Sequence, residues 1–477
     1  MASAKMRMKL CLLPLLVALA CTPNDKVVEN SEELPVSIDL ADIRERGYLN
    51  ALVDNNSMSY FYYRGGPMGY EYELLQRLTK ELGVELRIKV ITNIEEAVQM
   101  LNSGKGDIMA FPFTVTPERK EVVAFTETHF NTSQVLVQRR PDNWMDNPHI
   151  AEKKMLRNPV NLIGKEVYVK FGSSFKDRLK NLSQEIGGEI IIIEDSASSE
   201  TESLIKKVAE GEIDYTVTDE MIGLVNAAYY DNLDVKTKVS FPQQIAWAVR
   251  KNSPTLLEEI NTWIRKVKKD GTLNVIYNRY FNSPRTSARR RKSDYSSLGG
   301  NKLSVYDDVI RKKAAELDWD WRLLASMIYQ ESNFMPNVTS WAGARGLMQL
   351  MPSTGKYYGA VDLDDPIQSI NAGVKFIKFL DRQWSKTIED EDERVKFILA
   401  SYNVGLSHVI DARNLARKYD GNPLKWEGEV ESYLLKKSDP EYYRDPVVKA
   451  GYCRCEEPVK YVRQILYRFE EYKRYIN

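Results

Sequence analysis

The sequence predicts a multidomain protein, a two-lobed α/β module followed by an all-α domain, and three observations carry this reading. The chain has 477 residues, more than one hydrophobic core organises, so two or three domains follow. From residue 38 to residue 283, short β-branched runs alternate with amphipathic stretches. From residue 303 to residue 477 the strand texture stops and segments of helical period take over.

Charge excludes one class of partner at the outset. Lys plus Arg and Asp plus Glu both number 67, so no global positive field favours nucleic acid. The one concentrated basic run, 289–292, falls in a stretch with the composition of a linker.

The N-terminus places Lys5, Arg7 and Lys9 before an apolar run at 10–20, which is too short to cross a bilayer as a helix. Charge, apolar run and small residues in that order read as an export signal over residues 1–20. Ala18, Leu19, Ala20 and Cys21 resemble a bacterial lipobox, with Ala18 where leucine is usual. The resemblance implies that Cys21 carries lipid, that residues 21–37 form a tether, and that the protein is anchored to a membrane. Thr22 rather than aspartate after Cys21 implies the outer membrane, with the protein facing the periplasm. Of the remaining cysteines, Cys453 and Cys455 are separated by one residue, a spacing expected to disfavour a bridge, and two cysteines are too few for a structural zinc site. They are expected to act as packing residues.

Over residues 38–283, strands are expected at 85–91, 107–111, 133–138, 167–170, 190–193, 215–218 and 245–250, and helices at 71–82, 94–103, 174–182 and 200–210. Mostly parallel sheets in two lobes, with a cleft between them, are the economical arrangement. Thr114 and Arg119 follow a strand, where a guanidinium can fork onto a carboxylate. Ser173 and Ser174 open a helix whose free amides favour an anion, and Asp219 ends a strand where it can meet an ammonium. Carboxylate on one side and ammonium on the other describe an amino acid. Residues 69–74, 112–119, 172–174 and 218–220 together resemble the family 3 solute-binding proteins, which have the periplasmic-binding-protein fold. The resemblance implies an amino-acid or muropeptide ligand held by Arg119, Thr114, Ser173, Ser174 and Asp219, with Tyr60 or Phe61 stacking on it.

Residues 284–302 lack apolar periodicity and are rich in Ser, Gly and Arg, as a linker is. In the domain at 303–477, helices are expected at 304–317, 321–331, 367–384, 393–402, 406–419 and 459–475. The second begins at a cap supplied by Asp318 or Asp320, and Trp321, Leu324 and Ile328 mark its buried face. Glu331 continues that face. Either it marks where the helix leaves the core, or it is a poorly solvated carboxyl able to act as a general acid near neutral pH. Gly343, Gly346 and Gly355 punctuate the following loop, and Trp341, Tyr357, Tyr358, Tyr402 and Tyr461 supply faces that stack on sugars.

In order and spacing, Glu331-Ser332, Gly346-Leu347-Met348-Gln349, Ser401-Tyr402-Asn403-Val404-Gly405 and Glu457-Pro458-Val459-Lys460-Tyr461-Val462 resemble the motifs of family 1 lytic transglycosylases. Ser401 and Pro458 depart from the usual alanine and threonine. The resemblance implies a lysozyme-like fold acting on peptidoglycan glycan strands, with Glu331 as lone acid and base. It further implies that Ser332, Gly346, Met348, Gln349, Tyr402, Asn403 and Tyr461 hold the substrate, and that no metal or organic cofactor takes part. A competing reading is an amino-acid receptor lipoprotein whose C-terminal domain anchors to peptidoglycan without cleaving it.

Overall fold

The computed structural model describes residues 35–476, apart from 92, 143, 197–199, 283–285, 287–288, 291 and 299. The expected signal and Cys21 lie outside the described residues.

The first lobe is a sheet in the order β4 (Glu85–Ile91), β1 (Tyr48–Asp54), β5 (Ile108–Thr114), β13 (Gln243–Val249), β6 (Ala124–Phe125), with β7 (Phe130–Thr132) also pairing β13. The second lobe runs β10 (Ile191–Glu194), β9 (Glu166–Val169), β11 (Tyr215–Asp219), β8 (Gln134–Arg139), β12 (Leu233–Lys238). The expectation of mostly parallel sheets needs correction. β1 lies parallel to β4 and β5, but β13 is antiparallel to β5, and β8 is antiparallel to both β11 and β12. The chain leaves the first lobe, builds the second and returns, so the crossing strands β8 and β13 enter each sheet against its parallel set.

Sequence patterning missed β1 because the strand is buried on both faces, from Leu49 to Val53, and offers no alternation to read. It also missed a small hairpin outside both sheets, β2 (Phe61–Tyr63) paired with β3 (Gly66–Met68). Arg64 and Gly65 turn it with φ of 52° and 74°, conformations suited to a tight hairpin.

In the helical domain, Asp320 rather than Asp318 caps the helix Trp321–Ser332, its side chain accepting from Arg322 N. Asn333, in the left-handed conformation, ends it. Against it packs the long helix Glu456–Tyr475, with the buried Ser326 hydroxyl donating to Ile465 O at 2.7 Å across the contact. The helix Glu391–Val404 closes the group. Ser401, where alanine was usual, accepts from the Trp384 indole at 2.9 Å, so the departure supplies a partner for a buried N–H.

Cys453 and Cys455 are joined in a disulfide, contrary to the expectation of two free packing residues. The backbone around Arg454 holds their Cα atoms 5.2 Å apart, within reach of a bridge despite the short spacing. The pair sits directly before the helix Glu456–Tyr475, with Cys455 at its N-cap.

The two domains share one continuous core. Tyr472 donates to Gly65 O at 2.6 Å, Tyr467 to Ile88 O on the edge strand β4 at 3.0 Å, and Arg463 pairs with Glu85 at 3.2 Å. A cavity of about 1440 Å³ remains between β4 and this helix.

Candidate functional site

Glu331 lies in the last turn of its helix, where the apolar face meets the loop carrying Gly346 to Gln349. Its Oε1 accepts from the Tyr461 hydroxyl at 2.5 Å. Burial pushes the Glu331 carboxyl up to about 7; the Tyr461 bond opposes the shift and the nearby Glu457 carboxylate adds to it. A carboxyl so placed is protonated in a useful fraction near neutral pH, as a general acid requires.

The loop that faces Glu331 is fixed by several short contacts. Gly346 has φ of 81°, and a Cβ there would stand 1.9 Å from Leu363 O, so only glycine fits. Ser332 is buried and its hydroxyl lies 3.1 Å from Ile328 O and 2.9 Å from Leu347 O, pinning the loop to the helix rather than facing the cleft. Met348 is buried too; its N–H donates to Ser369 Oγ at 3.1 Å and its carbonyl accepts from Tyr402 Oη at 2.8 Å. Gln349, with φ of 45°, donates through Nε2 to Val338 O and Gly346 O, both at 2.9 Å. Asn403 is half-exposed on the last turn of its helix, beside Tyr402.

Electrostatics tie the tyrosines to the acid. Burial pushes both phenols well up, and the Glu331 carboxylate adds to each. Both therefore remain hydrogen-bond donors across the working range. The loop acids have other duties: Asp365 caps the helix Pro366–Trp384, Asp364 pairs with Arg345, and Asp362 accepts from Asp364 N. None of them bonds Glu331 among the described residues.

In the first module, the expected ligand residues converge between the lobes with one exception. Arg119 donates to Thr114 O at 3.0 Å and lies over the Phe113 ring at 4.3 Å; burial draws its guanidinium down to about 10, while Asp177 and Asp219 oppose the shift. Ser174 Oγ lies 3.4 Å from Thr114 Oγ1, joining the lobes. Ser173 turns its hydroxyl to Lys170 O at 2.6 Å. Asp219 is pushed up to about 7 by burial, with Arg119 opposing.

The exception is Tyr60. It is 1% exposed, its hydroxyl lies 3.2 Å from Tyr62 Oη and its ring packs on Tyr72, so it faces the helical domain rather than the cleft. Phe61, the other stacking candidate, is buried as well. The aromatic run at 60–63 serves the domain interface instead. Tyr62 meets Tyr472 and Tyr475, and the hairpin turn at Gly65 approaches Tyr329 and Phe334, on either side of Glu331 in sequence.

Sequence reasoning also missed Asp54, Lys170 and Glu200. Lys170 Nζ lies 3.0 Å from Glu200 and 3.5 Å from Asp54, bridging the lobes. The signal was present, since each of the three ends or follows a strand or precedes a helix at the mouth of the cleft.

The profile described as bacterial extracellular solute-binding proteins, family 3, matches residues 49–283, and that of the transglycosylase SLT domain matches residues 308–425. A membrane-bound lytic murein transglycosylase F from Desulfosudis oleivorans is 33% identical over 425 residues, covering 89% of this chain and 89% of that protein. One of the same name from Pseudomonas fluorescens is 33% identical, covering 89% of this chain and 84% of that protein. Among solved structures, a mutant of ArgBP from T. maritima is 25% identical and covers 51% of this chain and 100% of its own, with a TM-score of 0.44.

Proposed function

The chain belongs to the membrane-bound lytic murein transglycosylase F family and acts on peptidoglycan, and on that premise we propose that Glu331 is the single acid and base of the reaction. The observation that carries this reading is the Tyr461–Glu331 bond at 2.5 Å on a carboxyl held near 7.

Glu331 gives its proton to the glycosidic oxygen between N-acetylmuramic acid and N-acetylglucosamine. The substrate's own acetamido group stabilises the developing cation, in the place a second carboxylate takes in most glycosidases. Glu331 then accepts the proton of the muramoyl C6 hydroxyl as that oxygen closes on the anomeric carbon. The product is an anhydro-muramic end, and no water is consumed. Tyr461 supports the carboxylate that exists between the two proton transfers, while Gly346, Met348 and Tyr402 fix the wall of the cleft against which Gln349 and Asn403 hold the sugar. Ser332 acts by holding that wall in place.

The first module binds an amino acid or muropeptide between its lobes through Arg119, Thr114, Ser174 and Asp219, and that ligand regulates cleavage. Support comes from the contacts of the hairpin turn at Gly65 with Tyr329, Phe334 and Tyr472. The protein is held at the outer membrane through lipid on Cys21 and faces the periplasm. Among the described residues no helix is long and apolar enough to cross a membrane.

Digestion of purified sacculi followed by mass measurement of the products tests the reaction. Anhydro ends are expected, whereas reducing ends would replace the scheme with hydrolysis. A shift in the melting of the full chain on adding ligand, lost in Arg119→Ala, tests the sensor.

A further inference from the structure

The cleft between the lobes holds more negative than positive charge. Asp54 at the end of β1, Glu200 before the helix Thr201–Glu210 and Asp219 at the end of β11 bring three carboxylates to it. Lys170 and Arg119 bring two cations. A single ammonium, that of Lys170, is shared by Asp54 and Glu200 at 3.5 and 3.0 Å. Arg119 is already faced by more than one carboxylate, Asp177 and Asp219, with Glu118 beside it. An amino acid with a neutral side chain adds one carboxylate and one ammonium and leaves the imbalance as it was.

Unused acceptors point the same way. Gln134 stands opposite Asp219 in the β8–β11 ladder and is fully buried; its Nε2 lies 3.3 Å from Ser174 Oγ and 2.9 Å from Gln243 Oε1, yet its Oε1 has no partner among the described residues. Thr218, the neighbour of Asp219, is fully buried, and its Oγ1 has no partner among the described residues. Buried acceptors without donors are costly unless something supplies the donors. Glu200 is pushed up to about 7 by burial and by Asp54, with the shared Lys170 ammonium opposing the shift.

We propose that the ligand of this cleft carries a cationic side chain, an alkylammonium or guanidinium set against Asp54 and Glu200 beside Lys170, with its α-carboxylate toward Arg119 and its α-ammonium toward Asp219. The inference rests on the reading of the cleft as an amino-acid site and deepens it. The two carboxylates that now share one ammonium then have a cation each.

Calorimetric titration of the full chain tests it with pairs matched in shape: arginine against citrulline, lysine against norleucine, and glutamate as the opposite charge. Arginine or lysine is expected to bind at least tenfold tighter than its neutral counterpart, and glutamate weakest. Free lysine against alanyl-lysine distinguishes a free amino acid from a peptide carrying the same side chain. Glu200→Gln is expected to erase the preference while neutral ligands still bind, and Lys170→Met, which removes the competing cation, to increase it. Because the two variants move the preference in opposite directions, general damage to the fold cannot imitate both. Neutral or acidic amino acids binding as tightly as cationic ones would overturn the charge assignment and leave the amino-acid site standing. Absence of binding by every member of the panel would overturn the amino-acid reading, and the inference with it.

Discussion

Tyr461 and Glu331 meet at 2.5 Å from two different helices, one near the start of the chain's last helix and the other at the end of the helix Trp321–Ser332. The bond favours the charged form of a carboxyl that burial otherwise holds neutral. Removing the phenol in Tyr461→Phe leaves burial unopposed, so the Glu331 value rises. The basic limb of the pH–rate profile, expected near 7 in the parent, then moves to higher pH. A hydrogen bond to a charged group is worth about 1.5–3 kcal/mol, so the rate at optimum falls by roughly ten- to a hundredfold. A pH–rate profile on soluble glycan fragments checks both effects, and an unmoved basic limb would remove Tyr461 from the mechanism.

Glu331→Gln keeps the shape and the bond to Tyr461 but cannot give or take the proton. General acid–base catalysis contributes about 10²–10⁴-fold, so release of muropeptides from sacculi should drop by at least that factor. Melting of the variant should stay close to the parent, because no packing atom is lost.

At Gly346 a methyl group would meet backbone, the Leu363 carbonyl at 1.9 Å, on a residue with φ of 81°. Gly346→Ala must therefore displace the loop that carries Met348 and Gln349. A loss of about 1–3 kcal/mol of stability is expected from such overpacking, with a loss of cleavage larger than the loss of folded protein. Thermal melting beside a sacculus assay separates the two.

Glu71 is fully buried, accepts from the Trp247 indole at 2.6 Å and is pushed up by burial to about 8. A carboxyl with a raised value in the fold contributes stability that is complete below its ordinary value of 4.5 and is lost as pH rises toward 8. Glu71→Gln should flatten that decline, melting higher than the parent at pH 8 by about 2–4 °C for each kcal/mol recovered. Melts at pH 5 and pH 8 read this out, and parallel declines in the two proteins would count against it.

A side chain at Gly65 meets Phe334 at 2.5 Å and requires a left-handed backbone with φ of 74°. Gly65→Val should separate the hairpin from the helical domain, so that calorimetry resolves two transitions where the parent has one. A single transition at the parent's temperature would mean that the hairpin does not couple the domains.

Much of this is legible in the sequence. The helix of Glu331 keeps its expected span to within a residue because an apolar period and a capping aspartate agree. The residues expected to bind a ligand in the first module stand at strand ends or in the first turns of the helices that follow, Thr114 and Asp219 at the former and Arg119 and Ser174 at the latter. Contacts far apart in sequence were not legible. Nothing local to Tyr60 tells that its ring turns away from the cleft, since its neighbours Tyr62 and Tyr72 and the helix bearing Tyr467 define that face only after the chain has folded. The Cys453–Cys455 bridge escapes the sequence for a related reason: spacing along the chain says less than the local backbone direction. Strand β1 stayed hidden because a strand buried on both faces has no period of two to detect.

The last helix, Glu456–Tyr475, touches the acid through Tyr461, the edge strand through Tyr467, the hairpin through Tyr472, and has Tyr475 within electrostatic reach of Asp54 and Glu200 in the cleft. At 1.5 Å per residue its 20 residues make a lever about 30 Å long. Tyr461 stands about 7 Å from the middle of that helix, so a tilt of about 8° moves it by roughly 1 Å, a misplacement that costs about a hundredfold in rate. The helix therefore belongs to the surface of both domains, and its removal would strip contacts from each.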